Sequence, residues 1–119
     1  MVINPNLLAG QVQGGIAQGL GQALLEDTIY EEESGQLLSG SFMDYAIPRA
    51  DDLTNIDIDW NMVPCETNIL QIKGAGEAGA IGAPPAIINA LVDALKEFKV
   101  DHVEMPATAH KLWSIIKSN

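Results

Sequence analysis

One carboxylate stands among glycines in the run Lys73-Gly74-Ala75-Gly76-Glu77-Ala78-Gly79. Glycines on both sides let a backbone approach a bulky ligand closely while a single carboxylate projects from the loop. Desolvated and within hydrogen-bond reach of a proton, such a group serves as a general base. By itself the pattern is more commonly a glutamate on an exposed glycine turn. The spacing also offers a rival chemistry, because Gly74, Gly76 and Gly79 satisfy G-x-G-x-x-G between a short apolar run and a helix, with Glu104 farther on. That is the arrangement of a dinucleotide-binding turn and its ribose-binding acid. Two features oppose it. Glu77 places an anion where a pyrophosphate must sit, and Pro84-Pro85 predicts a helix start well beyond the third glycine. The chain is also short for a complete dinucleotide domain.

A second constellation lies near the start. Leu8, Val12, Ile16, Leu20 and Leu24 recur every four residues and predict a helix over 7–26. Five glycines share that stretch: Gly10, Gly14, Gly15, Gly19 and Gly21. In an exposed helix they would together cost about 4–5 kcal/mol relative to alanine, so something must offset them. Gly10, Gly14, Ala17 and Gly21 fall in one narrow sector, with Gln11 and Gln18 along its edge. A bare face beside two amides suits close approach to a bound ligand or to a neighbouring helix or sheet. The residues alone leave both open. The Gly10-to-Gly14 spacing matches a membrane dimer motif, but the segment carries too many glutamines for one.

Around these motifs the pattern predicts a mixed fold. Thr28–Tyr30 reads as a strand leading into a polar turn, and Tyr45-Ala46-Ile47-Pro48 as extended chain before a proline. Ile56-Asp57-Ile58-Asp59-Trp60 alternates apolar and acidic residues, the mark of a half-buried strand with both aspartates on the wet face. Pro84-Pro85 opens a helix to about Phe98, with Ile87, Leu91, Ala94, Leu95 and Phe98 as its buried stripe. Val100–Val103 reads as a short strand. A last helix over 107–117 has Thr108 for an N-cap and buries Leu112, Trp113 and Ile115 or Ile116. The expected class is α+β: a glycine-rich N-terminal helix, short mixed or antiparallel strands and two C-terminal helices, in one domain over 1–119.

Composition narrows the function classes. Sixteen acidic against six basic residues give a formal charge of −10, which opposes nucleic acid and anionic membrane surfaces as partners. Apolar runs are too short to span a bilayer. The lone Cys65 excludes an internal disulfide and cannot hold an iron–sulfur cluster. His102 and His110 stand apart from it without ligand-like spacing, so no zinc site is expected. A reducing, cytoplasmic setting is the default. Residues 1–5 lead straight into the helical pattern with no leader and no capping segment, as in a piece of a larger whole.

Taken together, Gly10–Gly21 and Lys73–Gly79 resemble the end of the molybdopterin-binding large subunit of the xanthine oxidase family, which includes aldehyde oxidoreductases, carbon monoxide dehydrogenases and nicotinate-type hydroxylases. The resemblance runs from about Val2 to Ile116, with Tyr45-Ala46-Ile47-Pro48 and Met105-Pro106-Ala107-Thr108 as landmarks in the right order. It implies that Glu77 is the active-site glutamate, taking a proton as water-derived oxygen is added to an aldehyde or N-heterocycle. Gln11 matches the glutamine that hydrogen-bonds the cofactor. Gly14 and Gly15 fit close approach of the pterin, Gly74 and Gly76 shape the base loop, and Lys73 has a stabilising role. The resemblance implies molybdenum-molybdopterin in its dinucleotide form, with iron–sulfur clusters and FAD on other domains or subunits. Partners are the remainder of the molybdenum subunit and those electron-transfer parts. The chain alone is expected not to turn over, and an apolar surface left bare would favour a homo-oligomer. A non-catalytic assembly module of the same fold is the alternative. Ile69 and Gln71 depart from the family, standing where proline and glycine are expected.

Overall fold

In the computed structural model, which describes residues 2–118, the first helix α1 spans Pro5–Leu24. Its start contradicts the expectation of an uncapped segment. Asn4 Oδ1 accepts the Leu7 N–H at 3.1 Å and Pro5 occupies the first turn, where its missing donor costs nothing. Helix α2 spans Ala78–Ala94, and a short 3-10 turn, Lys96–Phe98, follows it. Pro84 and Pro85 therefore lie inside α2 and do not open it. The geometric objection to a dinucleotide turn falls away with this correction. The electrostatic one, an anion at Glu77, stands. Helix α3 spans Ala109–Ser118, with Thr108 Oγ1 accepting the Lys111 N–H at 3.3 Å as a cap requires.

The pairing of α1 with α2 explains how the prolines are tolerated. The two helices are the main tertiary contact between elements. A Cβ built on Gly15 would lie 2.9 Å from Ala80 N and 3.0 Å from Gly79 Cα, and one built on Gly79 would strike the Val12 carbonyl. One turn on, a Cβ at Gly19 would meet Ala83 Cβ at 2.7 Å and the Pro84 ring at 2.8 Å. Small residues on both helices, Gly15 and Gly19 against Gly79 and Ala83, thus bring backbone to backbone. Dispersion along that seam offsets the glycine cost, and Pro84 packs its ring where α1 has no side chain.

The buried cluster sits at the far end, around Leu95, Val100, Val103 and Ala107, with Leu24, Ile88, Leu91, Val92, Leu112 and Ile115 against it. The Ala107 N–H bonds the Ala23 carbonyl at 2.6 Å and ties this end to α1. Two expected stripes shift. On α2 it is Ile88 and Val92 that join Leu91 and Leu95, while Ala94 and Phe98 are exposed; on α3 Trp113 and Ile116 face outward. A helix stripe read from period alone is uncertain by one position, and the Pro pair moved the helix origin.

The expected strands form no ladder among the described residues. What exists is an isolated antiparallel bridge between Tyr30 and Leu37, closing a loop whose Leu38 N–H bonds the Ile29 carbonyl at 2.8 Å. The alternation at 56–60 is nonetheless real: Ile56, Ile58 and Trp60 are half-buried and Asp57 and Asp59 exposed. Among the described residues this segment has no partner strand. Tyr45–Pro48 packs on α1, with Pro48 against Gly21 and the Tyr45 hydroxyl donating to Glu26 Oε2 at 2.9 Å.

Much apolar surface is bare. The radius of gyration is 18.2 Å, against about 13.5 Å for a compact domain of this length. Phe42, Met43 and Ile69 are 81%, 93% and 98% exposed.

Gly15→Ala and Gly79→Ala should each destabilise the chain by about 1–3 kcal/mol, because backbone must move to admit the new methyl. Gly10→Ala and Gly14→Ala, with nothing within 4 Å of the new atom, should stabilise it by about 0.8–1 kcal/mol each. Thermal or urea unfolding of the four variants checks this opposite sign. The hydrogen bond to Glu26 holds the Tyr45 phenol above the ordinary tyrosine value, since it favours the protonated form. That contact is fully present below pH ~10 and is lost as pH rises through the raised value. A phenolate absorbance titration should show a late component that Tyr45→Phe removes.

Candidate functional site

The backbone contact at Gly15 and Gly79 sets the register of everything N-terminal to it. Gln11 lies one turn before Gly15, and Gly76 three residues before Gly79. The Gln11 Nε2 donates to the Gly76 carbonyl at 2.8 Å, so the glutamine–glycine helix and the glycine loop meet directly. Gln11, Gly74 and Gly76 line one open cleft of about 800 Å³, bounded by the start of α1, the 59–64 segment and residues 71–76. Lys73 lines it as well.

Other expected residues are placed differently. Gly14 and Gly10 leave a bare strip on α1 beside Gln11, with nothing within 4 Å of a Cβ at either. Gly15 is instead covered by α2. The five glycines of this helix are thus divided between packing at Gly15, Gly19 and Gly21 and open surface at Gly10 and Gly14. Glu77 is exposed and stands next to the cleft's Gly76 without itself lining it.

The backbone of Glu77 explains how its carboxylate stays available. It is the N-cap residue of α2, with φ −106° and ψ −4°, and its side chain makes no capping hydrogen bond. That conformation is the sparsely populated bridge region where many active-site residues sit. Its own carbonyl accepts the Ile81 N–H at 3.0 Å, the first turn of the helix. The carboxylate therefore sits at the N-terminus of a 17-residue helix, a favourable place for negative charge, without being consumed by the cap.

The start of the loop is held by residues that sequence reading passed over. Asn68 Oδ1 accepts the Ile72 N–H at 3.2 Å and its Nδ2 donates to the Ile72 carbonyl at 2.9 Å. Between them Gln71 has φ +55°, a left-handed conformation that costs a non-glycine residue about 1–2 kcal/mol. This is the position where Gln71 replaces an expected glycine. Nearby, Cys65 Sγ lies 3.1 Å from Thr67 Oγ1. The Thr67 hydroxyl, its backbone N–H and the charge of Lys73 hold the thiol below its ordinary value. The signal that could have found Asn68 is its residue type, an asparagine five residues before Lys73, because asparagine side chains readily bond nearby backbone.

On the other side of the 56–60 segment runs an apolar groove of about 850 Å³ whose walls include Val12, Ile16, Leu20, Ile56, Ile58 and Ala83. Four residues of the α1 apolar stripe, Leu8, Val12, Ile16 and Leu20, line this groove and are half-buried, while Leu24 packs on the buried cluster. Among the described residues no cluster of three metal-ligating side chains occurs, and no helix is long and apolar enough to cross a membrane.

A family profile described as "Molybdopterin cofactor-binding domain" matches residues 1–54. The chain is 38% identical over 112 residues to the nicotine 6-hydroxylase large subunit of Paenarthrobacter nicotinovorans, covering 94% of this chain and 14% of that protein. It is 33% identical to the carbon monoxide dehydrogenase large chain of Afipia carboxidovorans, covering 95% of this chain and again 14% of the relative. Among solved structures, quinoline 2-oxidoreductase from Pseudomonas putida 86 superposes with a TM-score of 0.92 at 39% identity, over 99% of this chain and 15% of that one. The chain thus spans about a seventh of the length of these relatives.

Thr67→Val should raise the Cys65 thiol's pKa and slow its alkylation by iodoacetamide at pH 7–8 several-fold, because the thiolate is the reactive form. Mass-spectrometric alkylation rates across that pH range check it; equal rates would show that the hydroxyl contact does not act on the thiol.

Proposed function

We propose that this chain, which belongs to the family of molybdopterin-binding large subunits, supplies the general base and part of the cofactor cradle of a molybdenum-dependent oxidoreductase. The carrying observation is the Gln11–Gly76 hydrogen bond, which brings the glutamine of the glycine-rich helix and the glycine loop to one cleft. The bare strip at Gly10 and Gly14 fits the cofactor, since any Cβ there would occupy space that the α1 surface otherwise leaves free. In this reading Gln11 and Gly14 hold the pterin from the helix side, and Gly74 and Gly76 from the loop side. Gly15 contributes by closing α1 on Gly79.

When bound, the molybdenum–pterin group supplies the two-electron redox centre of the hydroxylation. Glu77 Oε receives a proton as water-derived oxygen is added to the substrate carbon. The N-terminus of α2 fixes the Glu77 backbone beside the cleft, and the side chain's freedom from the cap leaves both carboxylate oxygens available. Nicotine and quinoline, for which two of the similar proteins are named, are N-heterocycles. An N-heterocycle or an aldehyde is accordingly the proposed substrate class. The dinucleotide form of the cofactor, and iron–sulfur and flavin parts on other domains or subunits, complete the proposed enzyme, which works in the cytoplasm. Relatives named as a large subunit, a large chain and a subunit gamma of a dehydrogenase complex support partner subunits.

In the assembled enzyme Glu77→Gln should reduce hydroxylation by at least about 10²-fold, within the range for a general base, while molybdenum content stays near that of the unsubstituted protein. Normal turnover in that variant refutes the assignment. Gln11→Ala should lower molybdenum retention on gel filtration or alter the metal's electron paramagnetic signature, with Glu77 still present.

A further inference from the structure

The glycines of the base loop are not held by packing: a Cβ at Gly74 or Gly76 would meet nothing within 4 Å. The loop must therefore be aimed from its ends. At one end are Gln11 and the first turn of α2. At the other end stands a ring of hydrogen bonds centred on Asn68, whose amide grips both the N–H and the carbonyl of Ile72. The Asn68 carbonyl also accepts the Gln71 N–H at 3.0 Å, and the Gln71 carbonyl accepts the Cys65 N–H at 3.2 Å. These bonds enclose the one cleft-lining residue with a left-handed backbone, Gln71 at φ +55°.

We infer that Asn68 is a positioning residue for the base loop: its amide holds Gln71 left-handed and so directs residues 73–77 towards Gln11. The inference rests on the reading of Glu77 as base and adds how that base is aimed. A glycine at 71 would adopt the same φ without the clamp. With glutamine there, the conformation is disfavoured unless the surroundings enforce it, and Asn68 is the side chain that does so. Loss of the amide lets residue 71 return to negative φ, which swings the following backbone and moves Gly76 away from Gln11. Displacement of about 1 Å is enough to cost a catalytic group about 10²-fold.

The test is a cycle in the assembled, molybdenum-loaded enzyme using N68A, N68D, N68A/Q71G and E77Q. Two readouts are followed: kcat and KM at equal molybdenum content, and hydrogen exchange over peptides spanning residues 65–76. N68A should lower kcat about 10- to 100-fold with KM changed less than threefold, and should deprotect the Cys65 and Ile72 amides. N68D keeps the acceptor for the Ile72 N–H and loses the donor, so it should fall between. In N68A/Q71G, glycine should restore most of the lost kcat. A kcat for N68A within twofold of the unsubstituted enzyme, unchanged exchange at 65–76, or a kcat loss that Q71G leaves in place overturns the inference. Should N68A not accumulate as folded protein, N68D carries the same comparison. Turnover by E77Q refutes the base reading separately, because the exchange pattern reads the clamp without reference to catalysis.

Discussion

Between Gly15 and Gly79 the backbones of α1 and α2 touch with no side chain between them, and the geometry of the site follows from that contact. Two helices that meet through ordinary side chains keep their axes 8–10 Å apart. Glycine on both sides removes that spacer. The consequence is a register: four residues before Gly15 is Gln11, three before Gly79 is Gly76, and these two are left facing each other at hydrogen-bond distance. The same contact explains the early start of α2. A helix pinned at Gly79 begins at Ala78, and the prolines follow within it, Pro84 lying over Gly19, where α1 presents no obstacle.

This double duty is why the glycine helix was only half legible. Helical period exposed the apolar stripe and the excess of glycine, and the energetic penalty showed that the glycines needed a reason. It could not say which glycine answered to which reason, because packing and ligand approach both ask for a missing side chain. The structure gives Gly15, Gly19 and Gly21 to packing and leaves Gly10 and Gly14 bare. The run Lys73–Gly79 stood out because a carboxylate among glycines is an uncommon arrangement. Asn68 did not, because its role depends on the sign of φ at Gln71, which no composition reveals.

Proline misled in one place and alternation in another, each for a physical reason. Proline is favoured in the first turn of a helix, so a Pro pair after a glycine loop reads as a start; here close packing offsets two missing donors in the interior instead. Alternation at 56–60 correctly assigned the wet and dry faces. It said nothing about ladder partners, which are a property of neighbouring chain. A segment can have the faces of a strand, with Ile56 and Ile58 against the groove, while its backbone pairs with no other segment among the described residues.

The same openness bears on the chemistry. A carboxylate in bulk water is a weak base, and its usefulness grows as water is excluded and as its target is fixed. In this chain the fixing is present: the helix terminus at Ala78, the Gln11 bond and the Asn68 ring hold the loop on three sides. The exclusion of water is not, since Glu77 is exposed and the cleft beside it is open. The division is consistent with a segment that spans about a seventh of its relatives' length. Aiming the proposed base needs only local contacts, and two helices with the Asn68 hydrogen bonds are contacts of that kind. Drying and enclosing it needs surface on every side, and an expanded chain with bare Phe42, Met43 and Ile69 has apolar area to offer to such a surface without closing one itself.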